Sequence, residues 1–197
     1  MATTPAQSDR VATILDAACR VVVREGAHGL RMASVATEAG VSKALVHYYF
    51  STRQELLRSA FAHAENRLND AVEADLATLS TGAEKVERAL LASVDADSPF
   101  GEQRALWNEV WSSLSFDDEL RPHVESYYRA FLGRVEALVV QGLEDGSVPV
   151  GIDARTAAWR LCAIADGVDS MLYLGLLDGE GARELVAGGV RRELGSA

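Results

Sequence analysis

The side chains of this chain best suited to recognition chemistry lie between residues 31 and 58, in the run RMASVATEAGVSKALVHYYFSTRQELLR. It holds Arg31, Ser42, Lys43, His47, Tyr48 and Arg53, whose guanidinium, hydroxyl, ammonium, imidazole and phenol groups can hydrogen-bond phosphate oxygens and base edges. Their setting reads as two short helices across a tight turn. One helix, Met32 to Ala39, stops at Gly40; Val41 fills the turn; Ser42 opens a second helix that ends near Phe50. Two helices joined by three or four residues including glycine form the geometry that lays a recognition helix in the DNA major groove. An ordinary helical hairpin has the same spacing, so the pattern alone leaves both readings open.

Reaction chemistry finds less support. Glu25-Gly26-Ala27-His28 has the Glu-x-x-His spacing of carboxylate–metal helices, but Gly26 ends its helix and there is no second copy. Glu109 and Asp117/Asp118 form no evident acid–base pair, and neither Cys19 nor Ser42 has a histidine with a clear activating role. Cys19 and Cys162 sit far apart on apolar helical faces without metal spacing, and read as buried free thiols ahead of a disulfide or a sensor. No catalytic residue, metal or cofactor is expected.

The elements that must position the 31–58 run come from a chain of 197 residues, 48% apolar, enough for a proper core. Its net charge of −10 argues at first against a nucleic-acid partner, but the charge is uneven. Residues 1–60 carry seven Lys/Arg and five Asp/Glu, a balance of +2, and the remainder carries −12. That asymmetry suits a protein that meets phosphate at one end only. No signal-peptide pattern opens the chain and no apolar run approaches ~18 residues, so a soluble, cytoplasmic protein without membrane contact is expected.

Helical periodicity predicts a polar arm over Met1–Gln7, then a first helix from about Asp9 to Glu25 with Ser8 as cap and Gly26 as stop. After the two short helices, Ser51 or Thr52 caps a longer one reaching about Leu79. Five more follow: Ala83–Val94, Pro99–Leu114, Asp118–Glu144, a helix capped by Asp153 and running to about Leu177, and Gly181–Leu194. No alternating strand run, phosphate-binding loop or internal repeat interrupts them. Val35, Ala36, Ala39, Val41, Leu45, Val46 and Phe50 supply the apolar contacts that would hold the short helices on the first.

The run VATILDAACRVVVREGAHGLRMASVATEAGVSKALVHYYFSTRQELL resembles the N-terminal domain of the TetR family of bacterial transcriptional regulators. The match rests on an ILDAA-type first helix, a VA-x-x-AGVS turn, and an aromatic-rich helix ending in Phe before a basic residue and an EL pair. GLRMASVA, Trp107 with Trp111, and ADGVDSMLY resemble more loosely the BetI-like subgroup. The resemblance implies an all-α fold of about nine helices. Residues 1–51 would be a three-helix DNA-binding head and 52–197 a larger antiparallel ligand-binding and dimerisation bundle, with helix 52–79 linking the two. It also implies a homodimer on a palindromic double-stranded operator, acting as a repressor released by a small-molecule effector. By position, Ser42, Lys43, Ala44 and Leu45 would open the recognition helix, with Lys43 reaching a guanine edge or a phosphate and Ala44 a thymine methyl. His47 and Tyr48 would occupy the contacting aromatic stretch, and Arg53 would grip phosphate at the start of the fourth helix. The chain departs from the family's pattern with Arg31 in place of Thr or Ser, His47 in place of Tyr and Tyr49 in place of His. His47 therefore stands equally as a DNA contact or as a packed or solvated ring, and Tyr49 favours packing.

In the acidic remainder, Trp107 and Trp111 are four apart on one helical face. With Phe100, Tyr127, Phe131, Asp166 and Met171 they could line an aromatic effector pocket suited to a cation. Packed core is the competing reading for each aromatic, and pairing with Arg160 the competing one for Asp166. The stretch 157–177 is apolar all round, so it must be buried all round. A dimer interface through Ala158, Leu161, Ala165, Val168, Leu172, Leu185, Val186 and Val190 competes there with burial inside one protomer. The alternative function is a dimeric helical small-molecule-binding protein without DNA-binding activity.

Overall fold

The computed structural model describes residues 5–95, 98–113 and 120–195, with side chains from Asp9 onward except at 99–103 and 113. Nine helices and no strand occur among them: α1 (Pro5–Glu25), α2 (Met32–Ala39), α3 (Lys43–Tyr49), α4 (Arg53–Leu76), α5 (Gly82–Val94), α6 (Pro99–Ser113), α7 (Arg121–Asp145), α8 (Ala154–Tyr173) and α9 (Gly179–Leu194). The all-α expectation is met. Two compact units form, Met1–Asn69 with Gln103–His123, and Asp70–Glu102 with Val124–Ala197.

Local chemistry explains most helix ends. Gly40, left-handed at φ 66°, closes α2, donating to Thr37 while Val41 donates to Ala36. This double return is the Schellman pattern, and only glycine takes that backbone without strain. Asp153 caps α8 by accepting the Thr156 N–H, and Thr81 with Glu84 forms a full capping box on α5. Several boundaries differ from the sequence reading, among them the end of α4 at Leu76, three residues early. α1 begins at Pro5, not after Ser8, because proline's fixed φ suits the first helical turn and its missing N–H costs nothing there. α8 stops at Tyr173, four residues early, where Leu176 donates to Met171 and Gly175 to Leu172 in a second Schellman turn. α9 begins at Gly179, because Asp178 accepts the Gly181 N–H as its cap. The expected ends at Leu114 and Asp118 lie outside the described residues.

The first unit buries Ile14, Ala17, Ala18, Val21 and Val22 of α1, Val35 and Ala36 of α2, Val46 of α3, and Leu56, Leu57 and Ala60 of α4. The second is built on Val86 and Leu90 of α5, Val135 and Val139 of α7, Leu161 and Ala165 of α8, and Val186 and Val190 of α9. There α5 and α7 cross almost backbone to backbone. A Cβ at Gly82 would stand 2.1 Å from the Gly142 nitrogen. The crossing is pinned by Asp145, which accepts the Gly82 N–H at 2.7 Å, and by Ser147, which accepts the Ala83 N–H at 3.1 Å. No helix among the described residues is long and apolar enough to cross a membrane.

Candidate nucleic-acid interface

The candidate recognition surface is built around α3. Ser42 holds extended backbone, and its hydroxyl accepts the Leu45 N–H at 3.2 Å, starting the helix where the turn ends. An oxygen cap of this kind is worth about 1 kcal/mol. Val46 and Phe50, four apart, are buried and seat the helix on the head. The 3.6-residue period then turns Lys43, Ala44, His47 and Tyr48 outward, all exposed, with Tyr48 at 73%. Leu45 is half-buried and flanks the seat. Tyr49 is half-buried too; its ring meets Tyr48 edge-on at 5.0 Å and Phe50 at 6.5 Å, so the packing expected of it is present. Arg31 is exposed at the N-cap of α2 and makes no side-chain cap there.

The platform is tied by charge. Glu38 of α2 accepts Arg20 Nε and Arg24 Nη1 of α1, each at 2.8 Å, and these hydrogen bonds hold its carboxyl below the usual range. Two of the basic residues counted toward the head's positive balance are therefore occupied within the protein. One turn before Arg20 on α1, Asp16 accepts His63 Nε2 at 2.9 Å and Arg67 Nη1 at 2.8 Å of α4. Burial works against ionising Asp16, but these bonds outweigh it and keep the group low. Arg53 is only half-exposed, and its Nη1 donates to the Ala27 carbonyl at 3.1 Å. The corner between α3 and α4 is capped by Thr52, which accepts the Glu55 N–H, while Glu55 accepts the Ser51 N–H at 2.7 Å.

The residues expected to meet an effector divide between the two units. Trp107 and Trp111 fall in the first, and one helical turn separates opposite fates, 7% against 50% exposed. Tyr127, Phe131, Asp166 and Met171 fall in the second. Phe131 packs against its core, Tyr127 is half-buried, and Met171 is exposed. The side chain of Phe100 lies outside the described residues. Asp166 pairs not with Arg160, which binds Glu193 at 3.0 Å, but with Tyr128, whose hydroxyl donates to its carboxylate. Crowding by protein atoms, and secondarily the neighbouring Asp169, push the Asp166 carboxyl up to about 6. Tyr128 escaped the sequence reading, which favoured its neighbour Tyr127; no local signal separates two adjacent tyrosines. A cleft of ≈280 Å³ in the second unit, between α4 and α5, includes Val72, Leu76, Ala89 and Ala92 in its lining, with the Asp75–Arg88 pair beside them. None of the expected effector residues with a described side chain lines it.

Most of the residues expected at a dimer interface lie inside the protomer. Ala158, Leu161, Ala165, Val168, Val186 and Val190 are buried in the protomer's own core, because their three- and four-residue spacing turns them together onto one face. Leu172 packs half-buried against that core, and only Leu185, 48% exposed, points outward. The outward surface of the same helices carries Trp159, Ile164 and Met171, with Gly167 open beside them. Cys19 and Cys162 are free thiols, both pushed up to about 12 by burial first. Among the described residues no three His, Cys, Asp or Glu side chains are grouped to hold a metal ion.

Comparison with known proteins bears on both halves. Residues 14–60 match the family model described as bacterial regulatory proteins, tetR family, and residues 82–195 match BetI-type transcriptional repressor, C-terminal. The chain is 29% identical over 155 residues to the HTH-type transcriptional regulator BetI of Rhizobium meliloti (strain 1021), covering 79% of this chain and 73% of that protein. It is 24% identical over 153 residues to the fatty acid metabolism regulator protein of Bacillus subtilis (strain 168), covering 78% of each. A transcriptional regulator from Saccharomonospora viridis, solved in complex with choline, shares the fold with a TM-score of 0.83 at 23% identity. That similarity covers 95% of this chain and 98% of that one.

Proposed function

The chain belongs to the TetR family of bacterial transcriptional regulators, with a C-terminal region of the BetI type, and on that premise we propose that it is a ligand-released repressor. The family consists of DNA-binding regulators, not enzymes. In the proposed cycle a homodimer sets two copies of α3 into successive major grooves of a palindromic operator in the cytoplasm. The observation that carries this reading is the division of α3, with Val46 and Phe50 seated and Lys43, Ala44, His47 and Tyr48 turned outward. Lys43 reads a base edge or phosphate, Ala44 allows close approach to a thymine methyl, and Ser42, Leu45 and Arg31 frame them. Dimerisation uses the outward face of α8 and α9 around Trp159 and Leu185. One short helix reads too few base pairs alone, and pairing doubles the site.

The effector is proposed to be a quaternary amine received in the second unit. There Asp166 supplies anionic character, Tyr128 is its hydrogen-bond partner, and Tyr127 and Phe131 lie on the same helix as Tyr128. The choline held by the Saccharomonospora viridis regulator supports this class. A Bacillus subtilis transcriptional regulator of the same fold, solved in complex with stearoyl-CoA, makes an acyl-CoA the comparison ligand. Thermal stabilisation by choline and not by an acyl-CoA is the expected result, and the reverse refutes the assignment.

The test of the whole reading is fluorescence anisotropy on the duplex upstream of the protein's own gene, beside a shuffled duplex, across a salt series. Tight, salt-sensitive binding to the upstream duplex is expected, and Lys43→Ala should narrow the gap between the two duplexes. No binding to either leaves the chain a ligand-binding dimer without DNA function.

A further inference from the structure

We infer that Arg53 is a positioning residue for the recognition helix, acting through the carbonyl of Ala27 and not as a ligand of phosphate. This rests on the DNA-binding reading above. Arg53 is the first residue of α4, where its charge meets the positive end of its own helix. A cation there gains by reaching the negative end of another helix, and α1 ends close by at Glu25. The guanidinium does so: Nη1 donates to Ala27, 26 residues away in sequence, and the contact is partly buried.

The acceptor is fixed. Ala27 and Leu30 are buried, Gly29 donates to Gly26, and Leu30 donates to the same Ala27 carbonyl. A Cβ at Gly29 would stand 2.1 Å from the Glu25 carbonyl oxygen, so the turn has no slack. The donor end is equally rigid. Phe50, the buried C-cap of α3, is three residues from Arg53, and Glu55 locks the intervening corner through Ser51 and Thr52. Arg53 therefore joins the turn after α1 to the corner after α3, and sets where α3 sits on its platform. Planar N–H donors on a long stem suit this task better than a rotating ammonium.

The test compares the wild-type protein with Arg53→Ala on the upstream duplex, together with amide hydrogen exchange of the DNA-free proteins. Positioning predicts an affinity loss of about tenfold with the salt slope unchanged, and faster exchange confined to residues 26–30 and 43–50. Direct binding of phosphate by Arg53 predicts instead a salt slope shallower by about 0.9 for each phosphate it no longer neutralises, and any such fall overturns the inference. Faster exchange throughout the first unit with unchanged affinity also overturns it, since the role is then structural only. If the wild-type protein binds no duplex, the DNA-binding reading fails on its own, and unchanged exchange at 26–30 and 43–50 still refutes the tie.

Discussion

Asp166 has a partner and a proton affinity that its sequence neighbours do not suggest. Its carboxyl stands at about 6 against an ordinary 3.8, so the folded protein holds that proton to higher pH than the unfolded chain does. The sign follows from linkage: between about pH 4 and 6 the native state binds more protons, and stability from this group falls as pH rises. Asp166→Asn keeps an acceptor for Tyr128 and removes the charge. The variant is expected to melt higher than wild type at pH 7.5 and to gain less on acidification to pH 5. Equal pH responses in thermal unfolding would show that Asp166 is not the group responsible. Proposed recognition of a quaternary amine uses the same charge, so the substitution should also abolish stabilisation by choline.

At the scale of elements, the crossing of α5 and α7 depends on the absence of two side chains. Gly82→Ala drives a methyl against the Gly142 backbone and the Leu138 carbonyl, which cannot move aside as a flexible side chain could. We expect a loss of about 1–3 kcal/mol in denaturant unfolding, the range typical of overpacking. Gly133, on the same α7, has nothing within 4 Å of its missing Cβ. Gly133→Ala should therefore stabilise by up to about 1 kcal/mol through helix propensity alone. Were both substitutions to shift the midpoint equally, close packing would not explain the glycine at 82. The same contrast separates α3 from a generic hairpin: its buried residues seat it while its polar ones remain free to meet a partner.

For the molecule as a whole, assembly is the property on which the proposed operator recognition turns. Trp159 at 53% and Leu185 at 48% exposure are large apolar surfaces on helices whose inner faces are already filled. Introducing charge there, as in the pair Trp159→Glu and Leu185→Glu, should give a monomer in sedimentation equilibrium with unchanged helical circular dichroism. Its affinity for a palindromic duplex should drop to that for a half-site. A dimer that persists in the double variant places the interface elsewhere.

How much of this was legible in the sequence depended on the distance over which each feature is decided. Gly40, Ser42 and Asp153 marked helix ends correctly because caps and turns are settled by hydrogen bonds spanning only a few residues. The head was legible for a further reason: its turn glycine and its apolar residues are read by local spacing alone. The all-apolar stretch 157–177 was not, since periodicity cannot say which side meets the protomer's own core. The exposed remainder, with Trp159 in place of Ala158, emerged only when α5 and α9 packed on α8. Tyr128 with Asp166 lies 38 positions apart and Arg53 with Ala27 lies 26 apart, and no cue within a few residues selects either pair. The sequence by itself determined the helices, the caps at Gly40, Ser42 and Asp153 and the helix-turn-helix motif, which are governed by local backbone chemistry. Tertiary structure alone decided the buried face of α8, the partner of Asp166 and the anchor of Arg53, because each depends on residues that only packing brings together.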